Sequence, residues 1–466
     1  MIPMTIDEIA DVVGGTAHGA ATVTGPAFVD TRTPEPEGLF VAIAGEHVDG
    51  HDYAAAAVER GAAAVLGTRP TGVPTVVVDD PVVALGVLAR HVADRLEGVQ
   101  VIALTGSQGK TGTKDLLAHV LAPAGPTVAT AGNFNNEIGV PLTVLHADQD
   151  TAHLVVEMGA RGVGHISYLC RIAPPVAAAV VNVGTAHIGE FGSREAIAQA
   201  KGEIVESLTT DGTAVLNADD PLVAAMAERT RGRVLTFGAA DGADVRVVDV
   251  TSDDLERPSF ELVHRGAGAT VHLQGIGRHQ VQNAAAAAAL ALAVGLDLDV
   301  VAEALTDART ASPWRMELTE RADGLAVIND AYNANPESTR AALDALAAIG
   351  RRGRRTVAVL GEMRELGDTE ARAHHDVGVH AARLGVDLLV TVGDVAEAIA
   401  EGARSVASWR GEVIVTAGRE EALARVRQNV SAADVVLVKA SRGAALEHVA
   451  TGLVEALDPV PEEEGR

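Results

Sequence analysis

The chain has 466 residues, 47% of them apolar, more than one compact core normally organises; at about 100–200 residues per domain, three domains are expected. A formal charge of −26 excludes non-specific binding to nucleic acid or to an anionic membrane, because like charge repels at long range. The single cysteine, Cys170, excludes an internal disulfide framework and a cysteine-built zinc site, and a buried core position is expected for it.

The opening MIPMTIDEIADVVGG carries acidic residues where a secretory leader needs basic ones, and it lacks a continuous apolar segment. Short strand-like pieces (LFVAIAG, TVVVDD) and two alanine-rich helical stretches follow, ending in VVALGVLARHVADRLEG. Residues 1–97 therefore read as a small α/β unit, with Gly98 at a helix end and Arg90, Asp94 and Arg95 on that helix's exposed face.

From Val99 the pattern becomes strand, glycine turn, helix: VIALTG then TKDLLAHVL, HLVVEMGA then VGHISYLC, VAAAVVNVG then SREAIAQAKGEIVESL. Continuous apolar runs flanked by glycine mark parallel strands buried on both faces. VRVVDVTSDDLERPSFELVH through VHLQGIG reads as β-hairpin material, and QVQNAAAAAALALAVGL as a helix. The apolar run from Ala284 to Leu296 is shorter than the ~18 residues a membrane span requires, so cytoplasmic residence is expected. This block is assigned to residues 98–312. A third alternation fills residues 313–466: LAVINDAYN, PESTRAALDALAAI, RRTVAVLGEM, ARAHHDVGVHAARLG, VDLLVTVG and ADVVLVKASRG. It predicts a doubly wound, Rossmann-like parallel sheet with ligands at the C-terminal ends of its strands. The fold class is thus α/β in three domains.

One motif carries chemistry on its own. In VIALTGSQGKTGTK a strand runs into a glycine turn and a helix, which places backbone N–H groups around an anion at a helix start. Gly106, Ser107, Gln108, Gly109, Lys110, Thr111 and Gly112 form this candidate triphosphate cradle, with Lys110 reaching the β- and γ-phosphates and Thr111 placed to ligate Mg²⁺. The usual spacing would put glycine at position 104, where this chain has Leu104, so the loop is the shorter TGSQGKT. A phosphate loop by itself fits switches, motors, kinases and ligases alike.

Further residues narrow the choice. Glu157 ends HLVVE and His187 follows VAAAVVNVG, so both emerge at the sheet edge that bears the phosphate loop. Glu is a hard oxygen ligand suited to Mg²⁺ and His is unusual for it, which leaves one mixed site or two cations open. Lys201 falls on the helical face of Ile197 and Ile204, an odd position for an ammonium unless it snorkels or is modified. His146, His153 and His374 are given no ligand role.

Taken together, TGSQGKT, GNFNNEIGVPLTVL, VVEMGARGVGHI, NVGTAHIGEFGS, AKGEI, GRHQVQNAAAA, NDAYNANPESTRAAL, LGEMRELG and KASRGAALE resemble the Mur ligases. YNANP is present and a D-N-P-R-type signature is absent, which resembles the branch joining D-alanyl-D-alanine to UDP-N-acetylmuramoyl-tripeptide. The resemblance implies an N-terminal UDP-sugar domain, a central ATPase domain and a C-terminal domain that binds the incoming dipeptide. It implies ATP, two Mg²⁺ sites held by Thr111, Glu157, His187 and Lys201, and a carbamate on Lys201. It also implies adenine near Asn283, the γ-phosphate near Arg315 and the ribose near Asp330, with Gln280 standing where the family usually has Asn.

The same resemblance implies substrate contacts from Thr31 and Arg32 in the first block, and from Asn135 and Asn136 in the second. Tyr332, Asn333, Asn335 and Arg442 carry that role in the third. Lys110, Lys201, His187 and Arg315 are the expected catalytic residues, the chain is expected to be a monomer, and the product is a cytoplasmic peptidoglycan precursor. Domain closure is expected about hinges near residues 98 and 312–315. Another ligase of the same family and a nucleotide-driven non-enzymatic module are the alternatives.

Overall fold

The computed structural model describes residues 1–45, 48–184, 191–309 and 312–455. The first helix, α1 (Ile6–Val13), is opened by a capping box in which Thr5 and Glu8 satisfy each other's backbone N–H, and it buries Ile6, Ile9 and Ala10. A five-stranded sheet follows, built from β1 (Thr16–His18), β2 (Ala27–Phe28), β3 (Leu39–Val41), β4 (Ala64–Gly67) and β5 (Thr75–Val77) in the order β1-β5-β4-β3-β2. Helix α2 (Pro81–Arg95) starts where Asp80 accepts from the Val82 and Val83 amides and Pro81 presets the first turn. It ends at Arg95, short of Gly98, and on the side where charges were expected Arg90 and Asp94 pair at 2.7 Å. Its inner face joins an apolar core that continues into the next block through Val140, Ile166 and Leu169. The approach is close: a Cβ at Gly86 would lie 2.7 Å from the Tyr168 hydroxyl.

The central sheet has nine strands: β6 (Gln100–Thr105), β7 (Thr127–Ala129), β8 (His153–Glu157), β9 (Ala177–Val180), β10 (Thr213–Asn217), β11 (Arg233–Gly238), β12 (Val245–Ser252), β13 (Pro258–His264) and β14 (Ala267–His272). Their order is β14-β13-β12-β11-β10-β9-β6-β8-β7. The strands from β7 to β12 pair in parallel, whereas β12, β13 and β14 form the antiparallel meander expected of the hairpin material. Helix α3 (Lys110–Leu121) follows β6, α4 (His165–Ile172) follows β8, and α5 (Arg194–Glu206) follows β9. The alanine-rich α6 (His279–Ala293) is buried along Ala284–Ala291 against α3 and the sheet, because small side chains let a helix apolar on every side sit inside a core. Among the described residues no helix is long and apolar enough to cross a membrane. Cys170 is buried against Met158 as expected, and burial pushes its thiol up to about 12.

The last sheet has six strands: β15 (Glu317–Glu320), β16 (Ala326–Asp330), β17 (Arg355–Leu360), β18 (Leu388–Val392), β19 (Glu412–Thr416) and β20 (Asp434–Lys439), ordered β15-β16-β20-β17-β18-β19. All pair in parallel except the β15 edge. Helices including α7 (Pro336–Gly350) and α8 (Glu370–Leu384) cover it, in the doubly wound arrangement expected. Register fixes where chemistry is placed. Glu157 stands opposite Leu104 and Val180 opposite Thr105, so β6, β8 and β9 end together at the phosphate loop. In the last sheet Lys439 stands opposite both Asp330 and Leu360.

Candidate active site

The phosphate loop leaves β6 at Thr105 and turns into α3 through Gly109, whose φ of 75° suits glycine. A side chain there would also collide with the Asn283 amide of α6. The Ser107 and Gln108 amides both donate to Asn182 Oδ1, at 3.0 and 2.9 Å. Lys110 Nζ donates to the Gly106 carbonyl at 2.8 Å, and Lys201 Nζ reaches that same oxygen at 3.0 Å from α5. Two lysines thus converge on one acceptor. Beside them Glu157, 1% exposed, accepts from the Thr111 hydroxyl at 2.8 Å and from Asn135 Nδ2 at 2.7 Å.

This crowding sets the charge states. Burial lowers the Lys110 ammonium below its usual range; Glu157 opposes the shift and Arg315 adds to it. Burial lowers Lys201 well below 10.5, the Lys110 charge lowers it further, and Glu157 again opposes. Both shifts disfavour the ammonium and favour the nucleophilic free amine relative to an exposed lysine.

The facing wall comes from the last sheet. Asp330 accepts from Lys439 Nζ at 2.6 Å and from the Met316 N–H at 3.1 Å, while Lys439 also donates to the Asn333 carbonyl at 2.9 Å. The Arg315 guanidinium lies 4.0 Å above the Tyr332 ring, and its buried Nε has no partner among the described residues. Trp314 and Met316, on either side of it, have φ of 61° and 49°, strained for non-glycine residues and localised at a residue that lines the cleft. The Tyr332 N–H donates to the Trp314 carbonyl at 3.1 Å. Burial also lowers the His279 imidazole, with Asp330 opposing.

Between the walls lies a cavity of about 870 Å³. The loop residues Ser107 to Gly112 line it together with Glu157, Lys201, Asn283, Arg315, Asp330 and Tyr332, as do Asn135, Asn136, Asn333 and Asn335. The loop touches the far wall directly, since Gln108 Nε2 donates to Glu337 of α7. Lower down, the Ser312 N–H donates at 3.0 Å to Asp115, a residue of α3 whose carboxylate pairs with Lys114.

Several expected residues stand elsewhere or serve the backbone. Gly106 contributes its carbonyl rather than a lining surface. Asn136 Oδ1 accepts from Gly139 N–H, and Asn335 Oδ1 from Ser338 N–H at the start of α7, so both side chains act as local caps. Thr31 and Arg32 do not line the cavity; Arg32 pairs with Asp30 at 2.6 Å in the exposed loop after β2. Arg442 is also outside it, lying 4.4 Å over the Trp314 ring and pairing with Glu447. His187 lies outside the described residues. Sequence reasoning missed Asn182, His279 and Lys439; only the polar residue closing the apolar strand DVVLVK gave a signal, at Lys439.

Comparison with known proteins fits this geometry. Residues 29–104 match the Mur ligase family catalytic domain, residues 104–291 the Mur ligase middle domain, and residues 314–442 the Mur ligase glutamate ligase domain. The chain belongs to the Mur ligase family. Among Mur ligases, the UDP-N-acetylmuramoyl-tripeptide–D-alanyl-D-alanine ligase of Mycobacterium tuberculosis is 46% identical, over 97% of this chain and 98% of the relative. The solved UDP-N-acetylmuramoylalanyl-D-glutamyl-2,6-diaminopimelate–D-alanyl-D-alanyl ligase of Acinetobacter baumannii superposes with a TM-score of 0.84 at 31% identity, over 97% and 99% of the two chains. The MurF ligase of Thermotoga maritima, solved in complex with ADP, superposes with a TM-score of 0.78 at 30% identity, over 93% and 98%.

Proposed function

We propose that this Mur ligase spends ATP to join D-alanyl-D-alanine to UDP-N-acetylmuramoyl-tripeptide, making a peptidoglycan precursor. The observation that carries the reading is the cleft itself: a phosphate loop with two lysines and a buried carboxylate on one wall faces Arg315 and the Asp330–Asn335 loop on the other. The full-length similarity to ligases of that name supports the same conclusion.

A carboxylate is a poor acylating agent, because its charge and resonance repel nucleophiles. In the proposed reaction the peptide's terminal carboxylate attacks the γ-phosphorus of ATP, giving an acyl phosphate and ADP, while Lys110 and Arg315 take up charge gathering on the transferred group. The dipeptide amine then adds to the acyl carbon, phosphate leaves, and an amide bond remains. Tyr332 and Asn333 border the space the dipeptide would enter. Adenine is assigned to the Asn283 side of the phosphate loop and the ribose to Asp330.

Thr111 and Glu157 offer hard oxygen donors that fit Mg²⁺, which when bound neutralises phosphate charge. An ammonium at Lys201 would repel such a cation. A carbamate on Lys201, from addition of carbon dioxide to the free amine with loss of a proton, would instead supply an anionic oxygen ligand, and the burial that disfavours the ammonium favours it. The N-terminal unit around Thr31 and Arg32 is assigned to the uridine end, away from the reacting atoms.

The test is to supply ATP and UDP-N-acetylmuramoyl-tripeptide with and without D-alanyl-D-alanine, following phosphate and product mass. Phosphate release that depends on the dipeptide, with a product heavier by that dipeptide, is expected. Equal release in both arms with no lengthened product overturns the assignment.

A further inference from the structure

The cavity holds one cation whose use the reaction above leaves unexplained. Lys110 and Lys201 are engaged by the Gly106 carbonyl, Lys439 by Asp330, and Arg315 by the Tyr332 ring. Arg161 also lines the cavity, yet among the described residues its guanidinium has no hydrogen bond or ion pair. Arg161 is an exposed residue on that wall, so its guanidinium is accessible to a ligand in the cleft.

The turn that carries Arg161 is rigidly built. Glu203, 4% exposed, accepts from the Gly164 and Ser167 amides at 2.5 and 2.9 Å, which already satisfies the start of α4. The Gly159 N–H donates to the Asn135 carbonyl at 2.7 Å, tying the same segment to the site's floor. The Arg161 N–H donates to His165 Nδ1 at 3.4 Å, and the His165 ring also lines the cavity with its Nε2 edge free of any partner among the described residues. Glu137 also lines the cavity.

Reach matters here. Arg161 follows Glu157 by four residues, at most about 14 Å of extended backbone. One or two extended peptide residues cover about 3.5–7 Å, which lies inside that upper bound, so a group upstream of a terminus held beside Glu157 falls on the stretch of wall that carries Arg161. A glutamyl residue joined through one carboxyl keeps the other, and a 2,6-diaminopimelyl residue likewise has a carboxyl that does not react; a lysyl residue in its place has only an ammonium.

We propose that Arg161, with His165, binds a carboxylate of the acceptor peptide other than the one being activated, and so selects which peptide is extended. This rests on the acceptor assigned above. Guanidinium and carboxylate pair in a planar, two-pronged geometry that an ammonium cannot accept, which makes the corner a discriminator. The carboxylate belongs either to the glutamyl residue or to the side chain of the third residue.

The experiment compares the full-length enzyme with Arg161→Ala and Arg161→Lys on three acceptors: one ending in diaminopimelate, one ending in lysine, and one ending in diaminopimelate with its glutamyl carboxyl amidated. Arg161→Ala is expected to raise KM for the first acceptor roughly 10- to 100-fold while kcat stays within about three-fold, with Arg161→Lys in between. If the rise is missing with the lysine acceptor, the third residue is read. If it is equal with both but missing with the amidated one, the glutamyl residue is read. A KM unchanged on all three, or a loss confined to kcat, sinks the proposal. Titration of the same nucleotide-sugar peptides without turnover keeps the two conclusions separable. Should wild type bind the carboxylate-bearing acceptor more tightly than Arg161→Ala yet make no product, the ligase assignment falls and the corner stands; equal binding removes the corner whatever the turnover.

Discussion

Lys201 and Lys439 face one cavity from opposite walls, and each is almost fully buried, at 6% and 3% exposure. Lys439 meets a carboxylate at 2.6 Å, whereas Lys201 meets a carbonyl oxygen, and burial, with a second lysine adding to it, disfavours its ammonium. Burial alone therefore says little about a lysine. With a counter-ion it is a strut that holds Asp330 and the Asn333 backbone in place; without a bonded one its ammonium form is disfavoured.

Lys439→Met leaves Asp330 buried without its partner, and unfolding stability should fall by about 3–5 kcal/mol, read by denaturant titration; Lys439→Met with Asp330→Leu should recover much of it. Recovery of nothing would show that the strut is not an ion pair in its effect. Lys110→Ala should reduce acyl-phosphate formation, trapped with hydroxylamine, by roughly 10²–10³-fold with little change in Tm. A large loss of Tm would move Lys110 to the side of the struts.

The smallest effect sharpens the contrast. The folded-state pKa of Lys201 lies below its unfolded value near 10.5, so the unfolded chain binds more protons and stability is lost as pH falls through that window. Lys201→Met removes the penalty. In bicarbonate-free buffer it should abolish turnover yet raise Tm by a few degrees, and by more at pH 7 than at pH 10. A variant less stable than wild type at both pH values would place Lys201 among the structural lysines.

Much of this was legible in the residues, for definable reasons. The parallel strands stand out because burial on both faces leaves no polar alternation, as in LVVE before the loop glycine and in VVLVK. Lys201 stands out because the residues one turn either side of it, Ile197 and Ile204, are fully buried. The two-residue strand β2 and the caps made by Asn136 and Asn335 are less visible. A short strand has no period to detect, and a capping asparagine looks like a ligand until its backbone partners are placed. Asn182 and His279 reach the cleft only because strands and helices far apart in sequence converge there, and local pattern holds no record of that.

The hydrogen bond from Ser312 to Asp115 has a mechanical consequence. The chain enters the third block at a residue clamped to the very helix whose first turn is the phosphate loop. A tilt of that helix would therefore pull on the strained Trp314–Met316 segment two residues on, which joins the cradle to the far wall as crank to lever.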